Sequence, residues 1–525
     1  MAELPTTPRF THGVASFDPG VDRILLWTRV QGGGTVEWHL AVRGPDGRPD
    51  GEVRSGSVEP DEVGCVHVEV DGLTAGTDHL YWFTVDGHRS TTGRTRTLPD
   101  GSPDCWRLAL TCCADRSINE LTVYESIAGT DVDLVVHLGD YIYETEGKGQ
   151  HPHEPGHVCV TLDDYDQRYA QIRRDPAVMA LHARHPMVAT WDDHDVADNA
   201  WRHGAKAHDP EDHGPWPERL RAAALARQRW LPARLEDPED PLRLWRSVRA
   251  GDLAELVMMD TRIDGRDQQA GDPGAPPLDD PDRALIGPSQ RRWLEERIRD
   301  RSAAWCVLAT QVTMSPMQLP VPVGTRTLLD SAPSGYGIVE GRAVCVDEWD
   351  GYPAERRRVA RWLADRGGDA LVISGDVHSS WVFDGVMAPG IPAAAPEFVA
   401  PSVSSTPMGR QLPRGWRGIA RVAGVAAEGA RWYDLESWGF TILELTPDAI
   451  TGTWHAVDAT STDPTSEVIA RWELGRGGAD RLRPLGEPRN PLRGATKVRR
   501  GRLLASAAVV AAAAGAVRAR SRRSA

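Results

Sequence analysis

Four short apolar runs in this chain each end abruptly in side chains that bind metals, and no other feature restricts its fold so strongly. LALTCC closes on Cys113, LVVHLGDYIY on Asp140 and Tyr143, MVATWDDHD on Asp193 and His194, and LVISGDVH on Asp376 and His378. Continuous Val/Leu/Ile-rich runs of this length mark strands of a parallel or mixed sheet covered on both faces. Such sheets present their reactive groups at the carboxyl ends of the strands. Thiolate, phenolate, carboxylates and imidazoles converging on one rim point to a polynuclear site that activates water.

Each residue has a distinct expected part. In GDYIYE, Gly139 lets the backbone turn sharply at the strand end, so that Asp140 presents its carboxylate outward as the centre of a dinuclear site or, more simply, as a helix cap. Tyr143, three residues on, offers a phenolate, a hard anion that pairs best with ferric iron, while Tyr141 is expected to point elsewhere. Of the neighbours Cys112 and Cys113 only one side chain can face the ions, and a thiolate there again favours iron over magnesium. WDDHDVADN gathers Asp192, Asp193, His194, Asp195, Asp198 and Asn199 in one strand-to-helix turn. An imidazole held among carboxylates has its charged form favoured, which suits His194 to act as general acid or anion contact. In SGDVHSS, Asp376 and His378 are two apart on an extended segment and share one face. MMDTRIDGR places Arg262 at a further strand exit, where it could clamp phosphate oxygens bidentately or pair with Asp260 or Asp264.

The surrounding sequence divides into regions of different texture. Residues 9–98 read as all-β, with alternating segments such as TVEWHLAV and LYWFTV separated by turn dipeptides, the spacing of a small sandwich. From 105 to 456 strands alternate with helix-like stretches, which makes this part an α/β layer structure. Expected helices are TVYESIAGT, DYDQRYAQIRRDPAVMALHAR, ERLRAAALARQRWL, PSQRRWLEERIRDR and AERRRVARWLADRG. Three irregular insertions, TEGKGQHPHEPGHV, GRDQQAGDPGAPPLDDPDR and QLPVPVGTRTLLDSAPSGYG, have the length of lids or binding loops. Residues 457–502 form a C-terminal extension, and 503–525 an Ala-rich basic tail.

At 525 residues the chain exceeds what one core organises. A formal net charge of −15 argues against a dedicated nucleic-acid-binding surface. Seven cysteines without regular spacing do not make a disulfide framework, and Cys65, Cys105, Cys306 and Cys345 read as small buried hydrophobes. MAELPTTPRF lacks the regions of a secretory signal, so the chain as written is expected in the cytoplasm unless a leader has been lost. As a helix, the apolar stretch 503–517 would span only ~22 Å against the ~30 Å of a bilayer core, so a disordered or weakly helical tail is expected, with contact at an anionic membrane surface as the alternative.

Together these strings resemble the alkaline phosphatase D family of metallophosphatases, which is related to the purple acid phosphatases. The resemblance runs from about residue 9 to 456 through FTHGVASFDP, RILLWTRV and TGRTRTLP, then TCCAD, VVHLGDYIYE, WDDHDVADN, MMDTR, IGPSQRRWLEE, LVISGDVHSS and FVAPSVSS. Phe17 stands where the family usually has Gly, Asp195 where it commonly has Glu, and Asp198 where many members have Asn. The resemblance implies a four-layer α/β/β/α sandwich preceded by a small immunoglobulin- or fibronectin-like β-sandwich. It also implies a site of ferric iron with calcium, or with Mg, Mn or Zn at the second position. Cys113 would be the thiolate ligand, Asp140 the bridge, Tyr143 an iron ligand, His378 and Asp376 the counterparts of the wider superfamily's two histidines, and Asp193 the counterpart of its Asn. Asn199 is carried as a further ligand and His194 as the transition-state contact. Carboxylate in place of imidazole and amide makes the second position oxygen-rich, as Ca²⁺, Mg²⁺ or Mn²⁺ prefer. The expected activity is hydrolysis of a phosphate ester, small molecule or polymer, mono- or diester, by a metal-bound hydroxide. The alternative is a metal-stabilised binding protein that no longer turns over.

Overall fold

The computed structural model describes residues 9–147, 149–317, 336–339, 342–385, 387–411, 427–477 and 479–490, with backbone only at 336–339, 342–344 and 479. The third insertion and the Ala-rich tail lie almost wholly outside them. Two large sheets make the core. In the first, strands Trp106–Thr111, Leu134–His137 and Met187–Ala189 run parallel side by side, and Trp438–Leu445 pairs antiparallel with Trp106–Thr111. In the second, Ala254–Met258, Trp305–Ala309, Ala370–Ser374 and Glu397–Val399 are parallel neighbours. Leu134–His137, Ala254–Met258, Trp305–Ala309 and Ala370–Ser374 are buried along their whole length, as strands covered on both faces must be.

Alternation along each strand then sorts side chains into layers. Leu108 and Leu110 of the first sheet meet Leu256, Val307 and Leu371 of the second in the cluster between the sheets. Ala109 and Val135 turn the other way, onto the helices Thr122–Ala128, Leu162–Arg173, Pro176–Arg184 and Trp216–Trp230. Val257, Leu308 and Val372 pack against Pro288–Arg299 and Pro353–Asp365. The order is helix, sheet, sheet, helix. The stretch read as one helix from 164 to 184 is two, because Asp175 accepts from the Ala177 N–H and Pro176 opens a new helix.

The N-terminal β region packs strands Val14–Phe17, Ile24–Arg29 and Cys65–Val70 over a second sheet that contains Val36–Arg43 and Asp78–Val85, with Phe10, Leu26, Val68 and Phe83 between them. It does not stand apart: Phe17 pairs in parallel with Met187, so the first large sheet runs on into these strands to a total of ten. Asp18 fastens the same junction by accepting from Arg246 Nε at 2.8 Å and Nη2 at 2.7 Å. At the other edge the sheet continues past residue 456, where Ser466–Gly475 pairs with Ala449–Val457 and Leu482–Pro484 follows. All seven cysteines are free, and Cys105 is only half-buried where a core position was expected. Among the described residues no helix is long and apolar enough to cross a membrane.

Candidate metal centre

The parallel strands of both sheets end at one place. Cys113 and Asp140 follow Thr111 and His137, Asp192 and Asp193 follow Ala189, Arg262 follows Met258, and Asp376 with His378 follows Ser374. The backbone there is held in a conformation that ordinary residues avoid. Of the seven non-glycine residues with positive φ among the described residues, five are Cys113 at 58°, Asp140 at 56°, Asn199 at 54°, Asp376 at 62° and His378 at 48°. Such outliers cost of order 1–3 kcal/mol each and persist where surrounding structure enforces them. At Asp140 the enforcement is visible: the Asp195 carboxylate accepts from the N–H groups of Asp140 at 2.7 Å, Tyr141 at 3.1 Å, Ile142 at 3.3 Å and Asp192 at 2.9 Å.

Among the described residues, donor atoms converge in three overlapping groups, each within 4.8 Å: Cys113, Asp140 and His378; Asp140, Asp193 and His194; and Asp140, Asp192, Asp193 and Asp376. Asp140 belongs to all three. Tyr143 joins the first, its hydroxyl donating to Asp140 Oδ2 at 2.9 Å and lying 3.3 Å from His378 Nε2. Ser405 Oγ donates to the same hydroxyl at 2.6 Å, and His378 Nδ1 lies 3.1 Å from the Thr406 carbonyl, which leaves Nε2 to the site. Cys112 turns away towards the Pro401 carbonyl, and Tyr141 towards His182. Asn199 sits beside Asp193 and donates its backbone N–H to Oδ2 at 2.7 Å.

The electrostatics call for cations. Burial pushes the Cys113 thiol and the Asp140 carboxyl well up, and for Asp140 the neighbouring Asp193, Asp192 and Asp195 add to it against the pull of His194. Burial pushes the Tyr143 phenol up as well, and the charge of Asp140 adds to this. A bound cation reverses each preference, since it favours thiolate, carboxylate and phenolate. The donor set therefore fits metal: a mixed S/O/N lobe at Cys113, Asp140, Tyr143 and His378 adjoins an all-carboxylate lobe at Asp192, Asp193 and Asp376. A lobe that adds thiolate and imidazole to oxygen donors and a lobe of carboxylates alone suit two kinds of ion.

Arg262 is brought to the site, but neither of its expected pairings forms. It is fully buried, Nε donating to Asp192, Nη1 to Asp347 Oδ2 at 2.6 Å and Nη2 to Asp376 Oδ1 at 3.1 Å, with Asp193 at 3.8 Å. The Asp260 carboxylate instead accepts from the backbone N–H groups of Arg262 and Ile263. Asp347 was not foreseen. Burial opposes its charge, yet Arg262 and Arg266 hold its carboxyl far below the usual range. The signal was present in AVCVDEWD, which again runs from apolar residues into acids. Glu144, the last residue of GDYIYE, was also passed over: it is fully buried and lies 2.8 Å from His194 Nδ1. Burial would lower the His194 pKa, but Glu144, Asp193 and Asp140 raise it well above the ordinary value. The insertion histidines stay outside the centre, His153 pairing with Asp115 and His157 with Asp164.

Comparison with known proteins agrees with this geometry. Residues 108–454 match the model of the PhoD-like phosphatase and residues 2–99 that of the PhoD-like phosphatase N-terminal domain. Alkaline phosphatase D of Bacillus subtilis (strain 168) is 34% identical over 401 residues, which are 71% of this chain and 65% of that protein. The match thus spans just under two thirds of the curated relative's length. The solved structure of PhoD superposes with a TM-score of 0.76 at 27% identity, over 92% of this chain and 95% of that one. With both family models covering the chain in order, and with the strand ends they include meeting at one centre, this protein belongs to the PhoD-like phosphatase family.

Proposed function

We propose that the protein hydrolyses phosphate esters at a metal centre of at least two ions that Asp140 would help to hold. The observation that carries this reading is that Asp140 belongs to every group of donor atoms at the strand ends. In this reading Cys113, Asp140, Tyr143 and His378 would hold ferric iron. Asp193 and Asp376 with Asn199, and Asp192 beside them, would hold a hard divalent ion, calcium first and Mg, Mn or Zn as substitutes. Bound ions acidify a water and offset the charge that develops on the phosphoryl oxygens.

The remaining work falls to the chain itself. His194, Asp376 and His378 are partly exposed while the rest of the centre is buried, so substrate reaches the ions past these three. His194 contacts the phosphoryl group or the leaving group. Arg262 acts as the fixed counter-ion of four carboxylates, limiting their repulsion and setting the shape of the all-carboxylate lobe. Its effect on phosphate runs through them.

The test uses protein metallated with iron and calcium, elemental analysis, and turnover of mono- and bis-(4-nitrophenyl) phosphate. Wild type should cleave one or both, and Asp140→Asn should lose about 100-fold or more in kcat together with metal. The ratio of the two esters separates mono- from diester preference. Visible absorption from phenolate-to-iron charge transfer should vanish in Tyr143→Phe. Full metal content without turnover of any ester would favour a binding protein instead, and unchanged turnover in Asp140→Asn would remove the central support.

A further inference from the structure

Glu144 is a fully buried carboxylate with both oxygens committed. Oε2 lies 2.8 Å from His194 Nδ1, and Oε1 accepts from the Asp198 N–H at 2.8 Å. Burying a carboxylate is costly, and the cost is offset only by good hydrogen bonds to an opposite charge. None of the donor groups of the metal centre includes it. Its own backbone is anchored: the Glu144 carbonyl accepts from the Cys159 N–H at 2.8 Å, and the preceding carbonyl of Tyr143 accepts from Arg168 Nη1.

The partner ring is confined just as closely. The His194 imidazole stacks on Tyr143, with ring centroids 4.2 Å apart and planes at 29°, while its backbone N–H points at Asp140 Oδ1 at 3.2 Å. Its second nitrogen, Nε2, has Asp198 Oδ1 at 3.9 Å, beyond hydrogen-bond reach, and the side chain is 21% exposed. One nitrogen is therefore fixed to protein, one face is covered by a phenol, and the other nitrogen is left at the mouth of the centre. A carboxylate on one ring nitrogen determines which nitrogen is offered to a ligand.

We propose that Glu144 is the positioning residue of His194: by holding Nδ1 it fixes the ring so that Nε2 meets the substrate beside the ions. This rests on the hydrolase reading above. It predicts that Glu144 matters only while His194 is present. The experiment compares the metallated wild type with E144Q, E144D, H194A and E144Q/H194A on bis- and mono-(4-nitrophenyl) phosphate, with metal content determined for each. E144Q should lower kcat by about 10–100-fold with KM within about 3-fold and metal content unchanged. In the H194A background the same substitution should cost no more than about 2-fold, because residues acting as one unit are not additive. E144D, which keeps the charge, should retain more kcat than E144Q, and it carries the test should E144Q not fold. An equal loss with and without His194, an unaltered kcat, equal losses in E144D and E144Q, or depleted metal would overturn the proposal while wild-type turnover stands. A wild type inactive on both esters would instead overturn the hydrolase reading, and this proposal with it.

Discussion

Asp195 illustrates how a binding site depends on a side chain that faces backbone. Its two oxygens receive four N–H groups from two separate strand ends, and this holds Asp140 at φ 56°. Only a group that accepts at every position can do so. In Asp195→Asn the amide NH₂ would face at least one of those donors and leave it unsatisfied, at about 1–3 kcal/mol. The variant should unfold at lower urea concentration and bind less metal in elemental analysis; wild-type values of both would show that the clamp is dispensable. Sequence alone could not sort the acids of WDDHDVADN. All of them follow one buried strand, and whether an oxygen faces the centre or the backbone is decided by the short helical turn Asp193–Asp195. For the same reason Glu144 and Asp347 went unseen: their importance lies in partners 50 and 85 residues away.

Strands were the most legible elements, because a strand covered on both faces has to be apolar throughout and stops where its side chains turn polar. The turn after Leu134–His137 carries the tightest constraint. Gly139 has φ 115°, and a Cβ there would lie 2.4 Å from the Asp192 Cβ and 2.6 Å from the Asp192 N. Gly139→Ala should therefore force the strand ends at Asp140 and Asp192 apart and cost on the order of 3 kcal/mol, seen as a lower Tm with reduced metal content. The helix break at Asp175–Pro176 was less legible, since the apolar period continues across it and only the cap and proline mark the stop. The AVCVDEWD stretch carries the apolar-to-acid transition of three of the four runs, so the rule that located the centre could have reached Asp347 as well.

At the scale of the whole molecule, acid should unfold the protein through buried histidines that belong to none of the donor groups of the centre. Burial lowers the pKa of His137 and His12 to about 3, and of His185 and His455 to about 4, from the ordinary histidine value of 6.5. Between those values the unfolded chain binds protons that the folded one excludes. Stability is then fully present above pH 6.5 and declines as pH falls towards the folded values, by up to about 1.4 kcal/mol per pH unit for each fully buried ring. Urea titrations from pH 7 to 4.5 should show this fall. His137→Gln, which removes the ring held by Tyr124, should flatten it although the variant starts from a lower stability; an identical slope would refute the assignment. The fold class was readable at this scale, but the joining of the sheets was not, because a single parallel pair carries it. That pair, Phe17 with Met187, also orders events at the ribosome. The first strand emerges about 170 residues before its neighbour, a delay on the order of 10–30 s at ordinary elongation rates. Through that interval the nascent chain carries an unmatched strand margin, and a chaperone that shields it should raise the yield of soluble protein.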